Sequence, residues 1–247
     1  TAQTTSGDYN SSSILWGGGN SNSAMFIMSQ TAIGVEYTSA FDDSLYGIIL
    51  ENVLLDGNNQ IDYGLYAYRL INPMISNVVV TKTNAHATYI NGAFSGRYSD
   101  LTAFKNNGCG HSIARGQLDF GWRVAQLNSA QFENLWGYSN GYDGTFNETS
   151  KPYWGYGIGY FGHRTGFMNG CRSENNDGAN IVFAPSSYAN TLNDCYSELA
   201  NSLDIGGGAT AITQGRATQK WGLWFSPQNA SGYGNAVKEG SFNGEFI

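Results

Sequence analysis

The chain has 247 residues and a formal charge of −7, enough for one large domain and too acidic for a nucleic-acid partner, whose phosphates call for a Lys/Arg surface. Charged residues are only 13%, aromatics reach 14%, Gly is high at 33 and Pro low at 4. This composition suits many short strands joined by tight turns and suits long helices badly. No run of about 18 apolar residues occurs, so membrane insertion is not expected. Cys109, Cys171 and Cys195 have no CxxC spacing, and neither a metal nor another cofactor is expected.

Taken in chain order, six segments begin alike: NVLLDGNN at 52–59, NVVVTKTN at 77–84, DLTAFKNN at 100–107, NLWGYSNG at 134–141, GCRSENND at 170–177 and DCYSELAN at 194–201. Their starts lie 25, 23, 34, 36 and 24 residues apart, a period of about two dozen with two insertions of roughly ten residues. With Asn52, Asn77, Asp100, Asn134, Gly170 and Asp194 as position zero, position one is apolar in every unit: Val53, Val78, Leu101, Leu135, Cys171 and Cys195. Position seven is Asn59, Asn84, Asn107, Gly141, Asp177 and Asn201. These residue types tolerate a left-handed backbone, so a bend is expected there once per unit. Each unit is too small to bury its own apolar face, and stacking buries it. The pattern predicts an all-β chain coiled as a single right-handed parallel β-helix over residues 1–205, with a loop insertion at 141–167. Residues 206–247 are read as terminal rungs or a C-terminal extension of the same domain.

Alternation along the strand assigns faces. Positions one and three are expected inward. Cys171 and Cys195 then form a small buried ladder, with an inter-rung disulfide as the alternative. Positions two and four are expected outward: Leu54/Asp56, Val79/Thr81, Thr102/Phe104, Trp136/Tyr138, Arg172/Glu174 and Tyr196/Glu198. His86 and His111 are expected to be structural, on an inward-looking column and a strand.

The LLDGNN stretch (54–59), YGLYAYRLINPMISNVVVT (63–81) and NTLNDCYSE (190–198) resemble the pectate-lyase-like right-handed β-helix superfamily, and within it bacteriophage tailspike and tail-fibre proteins. The resemblance implies a homotrimer on the virion tail, assembled in the host cytoplasm and acting outside the cell, next to other tail or baseplate proteins. It also implies a bacterial surface glycan bound in a shallow groove, which some members cleave and others only bind. Tailspike β-helices begin with a capping helix. DYNSSSILWGGGNS (8–21) instead resembles a rung already under way, so a longer chain or a covering segment is expected.

On the outward face, Trp136, Tyr138 and Tyr196 suit stacking on sugars, and Arg172 and Asp177 suit substrate positioning. Glu174 and Glu198, one rung apart, suit the paired carboxylates of glycoside hydrolysis. Outward glutamates of this kind read more simply as partners of turn backbone, of Arg172 or of a neighbouring subunit, and Leu54, Val79 and Phe104 on earlier rungs read as a subunit interface. The insertion adds Trp154, Tyr156 and Arg164 as a sugar platform, or as a loop packing its own aromatics. A lyase would need a base such as His163 beside Arg164, or His111 with Arg115, but no lyase motif is present. Hydrolysis is therefore favoured over elimination if the protein is a depolymerase. The alternatives are a non-catalytic adhesion β-helix and a cellular polysaccharide lyase acting as a monomer.

Overall fold

The computed structural model describes residues 13–15, 20–36, 44–120, 127–141, 155–161, 166–178, 180–183, 191–198 and 223–225. Among them the chain is all-β apart from one short helix, Gly116–Phe120. Every strand pair is parallel, and the strands fall into sheets of ten, seven and two.

The chain visits the sheets in turn. Ile49–Asp56 lies in the first sheet, Ile61–Tyr68 in the second and Leu70–Ile71 in the third, before Met74–Thr81 returns to pair with Ile49–Asp56. Leu54, Val79, Thr102, Trp136, Arg172 and Tyr196 are successive Cα partners across the first sheet. The repeat period is thus the strand register itself, and its columns run straight through both insertions. Part of the second insertion is regular too: Ile158–Tyr160 is a strand of the second sheet, between Cys109–Ile113 and Ile181–Phe183. Within 206–247 the described residues are Leu223–Phe225, which pair with Ile181–Phe183.

Burial follows the alternation on the inward side. Val78, Val80, Leu101, Ala103, Leu135 and Cys171 are sealed, and face Leu65, Ala67, Ile90, Ile113 and Ile158 of the second sheet in one cluster. A fully buried Val, Leu or Ile stabilises the fold by about 1.5–3 kcal/mol, and only neighbouring passages of the chain supply that cover. Cys171 and Cys195 sit in this column as free, buried thiols. The neighbouring Cys195 thiol and burial push the Cys171 thiol up from its ordinary value.

Outward positions are not uniformly open. Leu54, Asp56 and Thr81 are buried. Asp56 accepts from Lys82 Nζ at 2.7 Å and from the Asn58 N–H at 2.9 Å, and its charge is satisfied in place.

The bends differ from expectation. At position seven only Asn59 and Gly141 of the described residues have positive φ. The full left-handed column is position zero, where Asn52, Asn77, Asp100, Asn134, Gly170 and Asp194 all have φ between 49° and 62°. A second such column is position five, with Lys82, Lys105, Ser139 and Asn175 at 52–56°. The bends therefore bracket the four-residue strand on both sides. The Asn-rich positions after it serve as cross-strand hydrogen-bond ladders. At position six Asn106 Nδ2 donates to Asn140 Oδ1 (2.8 Å) and Asn140 Nδ2 to Asn176 Oδ1 (2.9 Å), all three residues fully buried. A polar ladder is stable there because each amide satisfies the next.

Candidate functional site

The first sheet carries the proposed face. Trp136↔Arg172↔Tyr196 and Tyr138↔Glu174↔Glu198 are in-register Cα partners on three neighbouring strands. Arg172 is exposed, Tyr196 is 39% exposed, and Trp136, Tyr138 and Glu174 are half-buried. The Arg172 guanidinium carbon lies 5.4 Å from the centre of the Trp136 ring, and the Trp136 and Tyr138 rings are 5.7 Å apart. The cation thus covers one Trp136 face by cation–π attraction. Glu198 belongs to the strand Tyr196–Glu198 in register with Glu174, which sets the two backbones roughly 4.8 Å apart.

The remaining candidates are placed elsewhere. Asp177 is 1% exposed, its N–H donating to Asn140 O at 2.8 Å, so it lies beneath the surface rather than on the proposed face. Tyr156 is fully buried and joins a polar cluster on the second sheet. Tyr160 and Phe161 are buried as well, so these three aromatics of the insertion pack inward instead of forming a platform. Trp154, Arg164 and His163 lie outside the described residues.

A groove of about 200 Å³ opens on the same sheet, lined by Met74, Ser76, Arg97, Ser99, Gln131 and Glu133 with Ile75 and Tyr98 at its floor. Met74↔Arg97↔Gln131 form one outward row and Ser76↔Ser99↔Glu133 the other, in register across three strands. The inward row between them contains Tyr98 and Phe132, stacked at 5.0 Å. These residues precede the bend at position zero, while Trp136 and Tyr138 follow it, so groove and aromatic face share one sheet across one bend. The alternation in MIS, RYS and QFE, an inward Ile, Tyr or Phe between two outward residues, is the sequence signal for this extra strand stretch.

The second cluster has the residue types of a hydrolytic triad. His86 Nδ1 and Ser112 Oγ share a hydrogen bond of 2.6 Å, and His86 Nε2 lies 3.9 Å from Asp119 Oδ2. Ser112 is fully buried, however, and its oxygen is also bonded to Tyr156 OH at 2.7 Å. A nucleophile closed to solvent and shared with a phenol does not meet a substrate. His111 is fully buried, bonded to Thr88 Oγ1 (3.0 Å) and Trp136 O (3.1 Å), and burial lowers it to about 4. Among the described residues, no group of three or more His, Cys, Asp or Glu is placed to hold a metal ion.

Comparison with protein-family models, with curated proteins and with solved structures returned no match. Fold and site together define a class no finer than an all-β protein of stacked parallel sheets carrying a polar and aromatic groove on one of them.

Proposed function

We propose that the chain is a right-handed parallel β-helix of tailspike or tail-fibre type that recognises a bacterial surface polysaccharide on the virion tail, as a homotrimer beside other tail or baseplate proteins. The observation that carries this reading is the continuous outward surface of the first sheet. The polar groove at Ser76, Arg97, Gln131 and Glu133 leads across one bend to Tyr138, Arg172, Glu174 and Tyr196. A shallow, elongated strip with hydroxyl, amide, carboxylate and guanidinium groups beside aromatic rings matches the alternating polar edges and apolar faces of sugar rings.

Incubation with a panel of bacterial capsular polysaccharides and lipopolysaccharides, following retention and chain length together, tests the reading. One polysaccharide is expected to be retained. Arg172→Ala and Tyr196→Ala are each expected to weaken retention about tenfold, equivalent to about 1.4 kcal/mol. Unchanged retention in both variants removes this face from the site. Shortening of the retained polysaccharide identifies a depolymerase, with Glu174 and Glu198 as acid and partner carboxylate. Glu174→Gln then stops cleavage while sparing binding, and cleavage that survives it removes the assignment.

A specific observation favours a subunit contact on the same sheet. Ile49, Met74 and Phe167 are 64%, 45% and 39% exposed, in one column with Arg97 and Gln131. Ile49 and Met74 are neighbours in this column, and an exposed apolar pair beside polar groups favours an interface. In the adhesion reading it builds the trimer and no glycan is shortened. A single subunit in sedimentation points instead to a monomeric lyase.

A further inference from the structure

The helix Gly116–Phe120 lies over the outer face of the second sheet, where Tyr63, Tyr66, Tyr68 and Tyr89 form a second buried cluster. Polar and aromatic contacts hold it there. The Gly116 N–H donates to Asn91 Oδ1 (2.8 Å), Tyr89 OH donates to Asp119 Oδ2 (2.9 Å), and the Phe120 and Tyr89 rings are 6.1 Å apart. Arg115 Nε donates to both Asp119 oxygens at 2.9 Å. Asp119 and Phe120 are themselves exposed. Beneath the helix sits His86, 2% exposed.

Below this helix a hydrogen-bond chain runs from Arg115 to His86. A guanidinium only donates, so Arg115 Nη1 gives a proton to Tyr156 OH at 3.1 Å. Tyr156 OH and Ser112 Oγ share a hydrogen bond of 2.7 Å in which either oxygen can donate, and Ser112 Oγ lies 2.6 Å from His86 Nδ1. The two hydroxyls can turn to suit either neutral tautomer of His86. A second proton on the ring makes both nitrogens donors and places a charge in a site closed to water.

We propose that His86 is an acid-sensitive latch for the helix Gly116–Phe120: the helix stays closed over the tyrosine layer while the buried imidazole is neutral, and lifts when the ring takes a second proton. The described groups that face His86 are Tyr63 on Ile61–Tyr68, stacked at 5.6 Å, and Tyr89 on its own strand at 5.1 Å. Ser112 faces it from Cys109–Ile113, with Cys109 as its Cα partner there, and Arg115 and Asp119 lie above it. One carboxylate stands against one guanidinium, and those two already bond each other. Burial and the Arg115 charge hold His86 well below its ordinary value. The sign follows: closed His86 is neutral, lifted His86 has an ordinary pKa near 6.5, so opening takes up a proton and is favoured as pH falls below about 6.5. Lifting uncovers an aromatic surface, which couples an acidic compartment or surface layer to exposure of an adhesive patch.

Amide hydrogen exchange of the intact chain at Gly116 and Asp119, corrected for the intrinsic effect of pH, reads the opening. Between pH 7.5 and 5.0 the opening equilibrium is expected to rise about 30-fold. In His86→Gln, whose side chain accepts from Ser112 and takes no proton, it is expected to stay constant with pH. A flat profile in the unaltered protein, or the same rise in His86→Gln, overturns the proposal. Should His86→Gln fail to fold, the ¹⁵N shifts of the wild-type imidazole decide. A ring neutral until the helix amides lose protection supports the latch, and a ring that titrates near 6.5 with those amides still protected overturns it.

Discussion

Gly157→Ala is expected to destabilise the protein by about 3 kcal/mol, near the upper end for overpacking a close contact, and to lower Tm by roughly 6–12 °C at this chain size. A β-carbon at Gly157 would stand 1.9 Å from Ser173 Oγ, 2.5 Å from Asn176 Nδ2 and 3.0 Å from Gly137 O. At Gly137 it would meet the Gly157 backbone at 2.5–2.6 Å, and at Gly110 the Gly157 carbonyl oxygen at 2.3 Å. Three glycines thus let backbone from the two sheets touch where the core has no room for side chains. The nearest neighbours, Ser173 and Asn176, are fully buried and bonded to Gly137 O and Asn180 O among others, so neither moves away without breaking bonds. Gly47→Ala separates packing from backbone effects. Gly47 has φ 61°, and a β-carbon there would meet nothing within 4 Å, so its cost is the left-handed strain alone, about 1 kcal/mol. Ser173→Ala removes the closest atom, and the double variant Gly157→Ala/Ser173→Ala is expected to be less destabilised than the sum of the singles. Chemical denaturation of these four variants beside the unaltered protein checks this. Equal costs for Gly157→Ala and Gly47→Ala would show that the sheets do not touch at this level.

How far the sequence was legible follows from what each feature needs. The register needed only a column that repeats, and Val53, Val78, Leu101, Leu135, Cys171 and Cys195 supplied it. Because the side-chain period of a strand is two, the inward set followed at once, and Val80, Ala103 and Ser173 are buried accordingly. The bend was misplaced because Asn has two uses. At position zero Asn52, Asn77 and Asn134 supply a left-handed backbone; at positions six and seven Asn106, Asn107, Asn140 and Asn176 supply side-chain amides. Composition does not separate the two. Lys82 and Lys105 at position five carry no signal for positive φ at all, since the surrounding ladder imposes it.

The candidate site was legible in part, for a related reason. Trp136, Tyr138, Arg172, Glu174 and Tyr196 share a face because alternation alone placed them. Tyr156 and Asp177 resemble surface groups in composition, but contacts from residues far along the chain decide their burial: Ser112 lies 44 residues before Tyr156 and Asn140 lies 37 before Asp177. The groove escaped notice because the strand extends before the bend, and Arg97, Gln131 and Glu133 lie on that side. The His86 cluster spans residues 63–156 and rests on a five-residue helix, too short to show a period.

Asn140→Asp is expected to cost more than 3 kcal/mol at pH 7, and to recover as the pH falls. The Asn140 amide is fully buried in the ladder: Nδ2 donates to Ala103 O at 3.1 Å and to Asn176 Oδ1 at 2.9 Å, while Oδ1 accepts from Asn106 Nδ2 at 2.8 Å. Aspartate has the same shape but replaces the donor with an oxygen that then faces two oxygens. Asn176 can turn its amide to donate back, but its Nδ2 is already given to Gly137 O, Ser173 Oγ and Asn180 Oδ1, and its Oδ1 also accepts the Asn140 N–H. One turned amide therefore undoes four bonds to mend one. The introduced carboxyl is pushed above its unfolded value by burial and by the facing oxygens, so the native state holds the extra proton and stability rises toward acid. The protonated form restores a single donor, and recovery stays incomplete because Ala103 O and Asn176 Oδ1 need one each. Measuring the variant against the unaltered protein at every pH from 7.5 to 5.0 cancels the opposite trend expected from His86. An exposed ladder member is the control: Asn134, which donates to Asp100 Oδ1 at 3.1 Å on the surface at φ 53°, tolerates Gly within about 1 kcal/mol, since Gly keeps the left-handed backbone and water replaces the bond. A pH-independent loss in Asn140→Asp would show that water reaches the ladder, and that the parallel stack is held by its apolar columns alone.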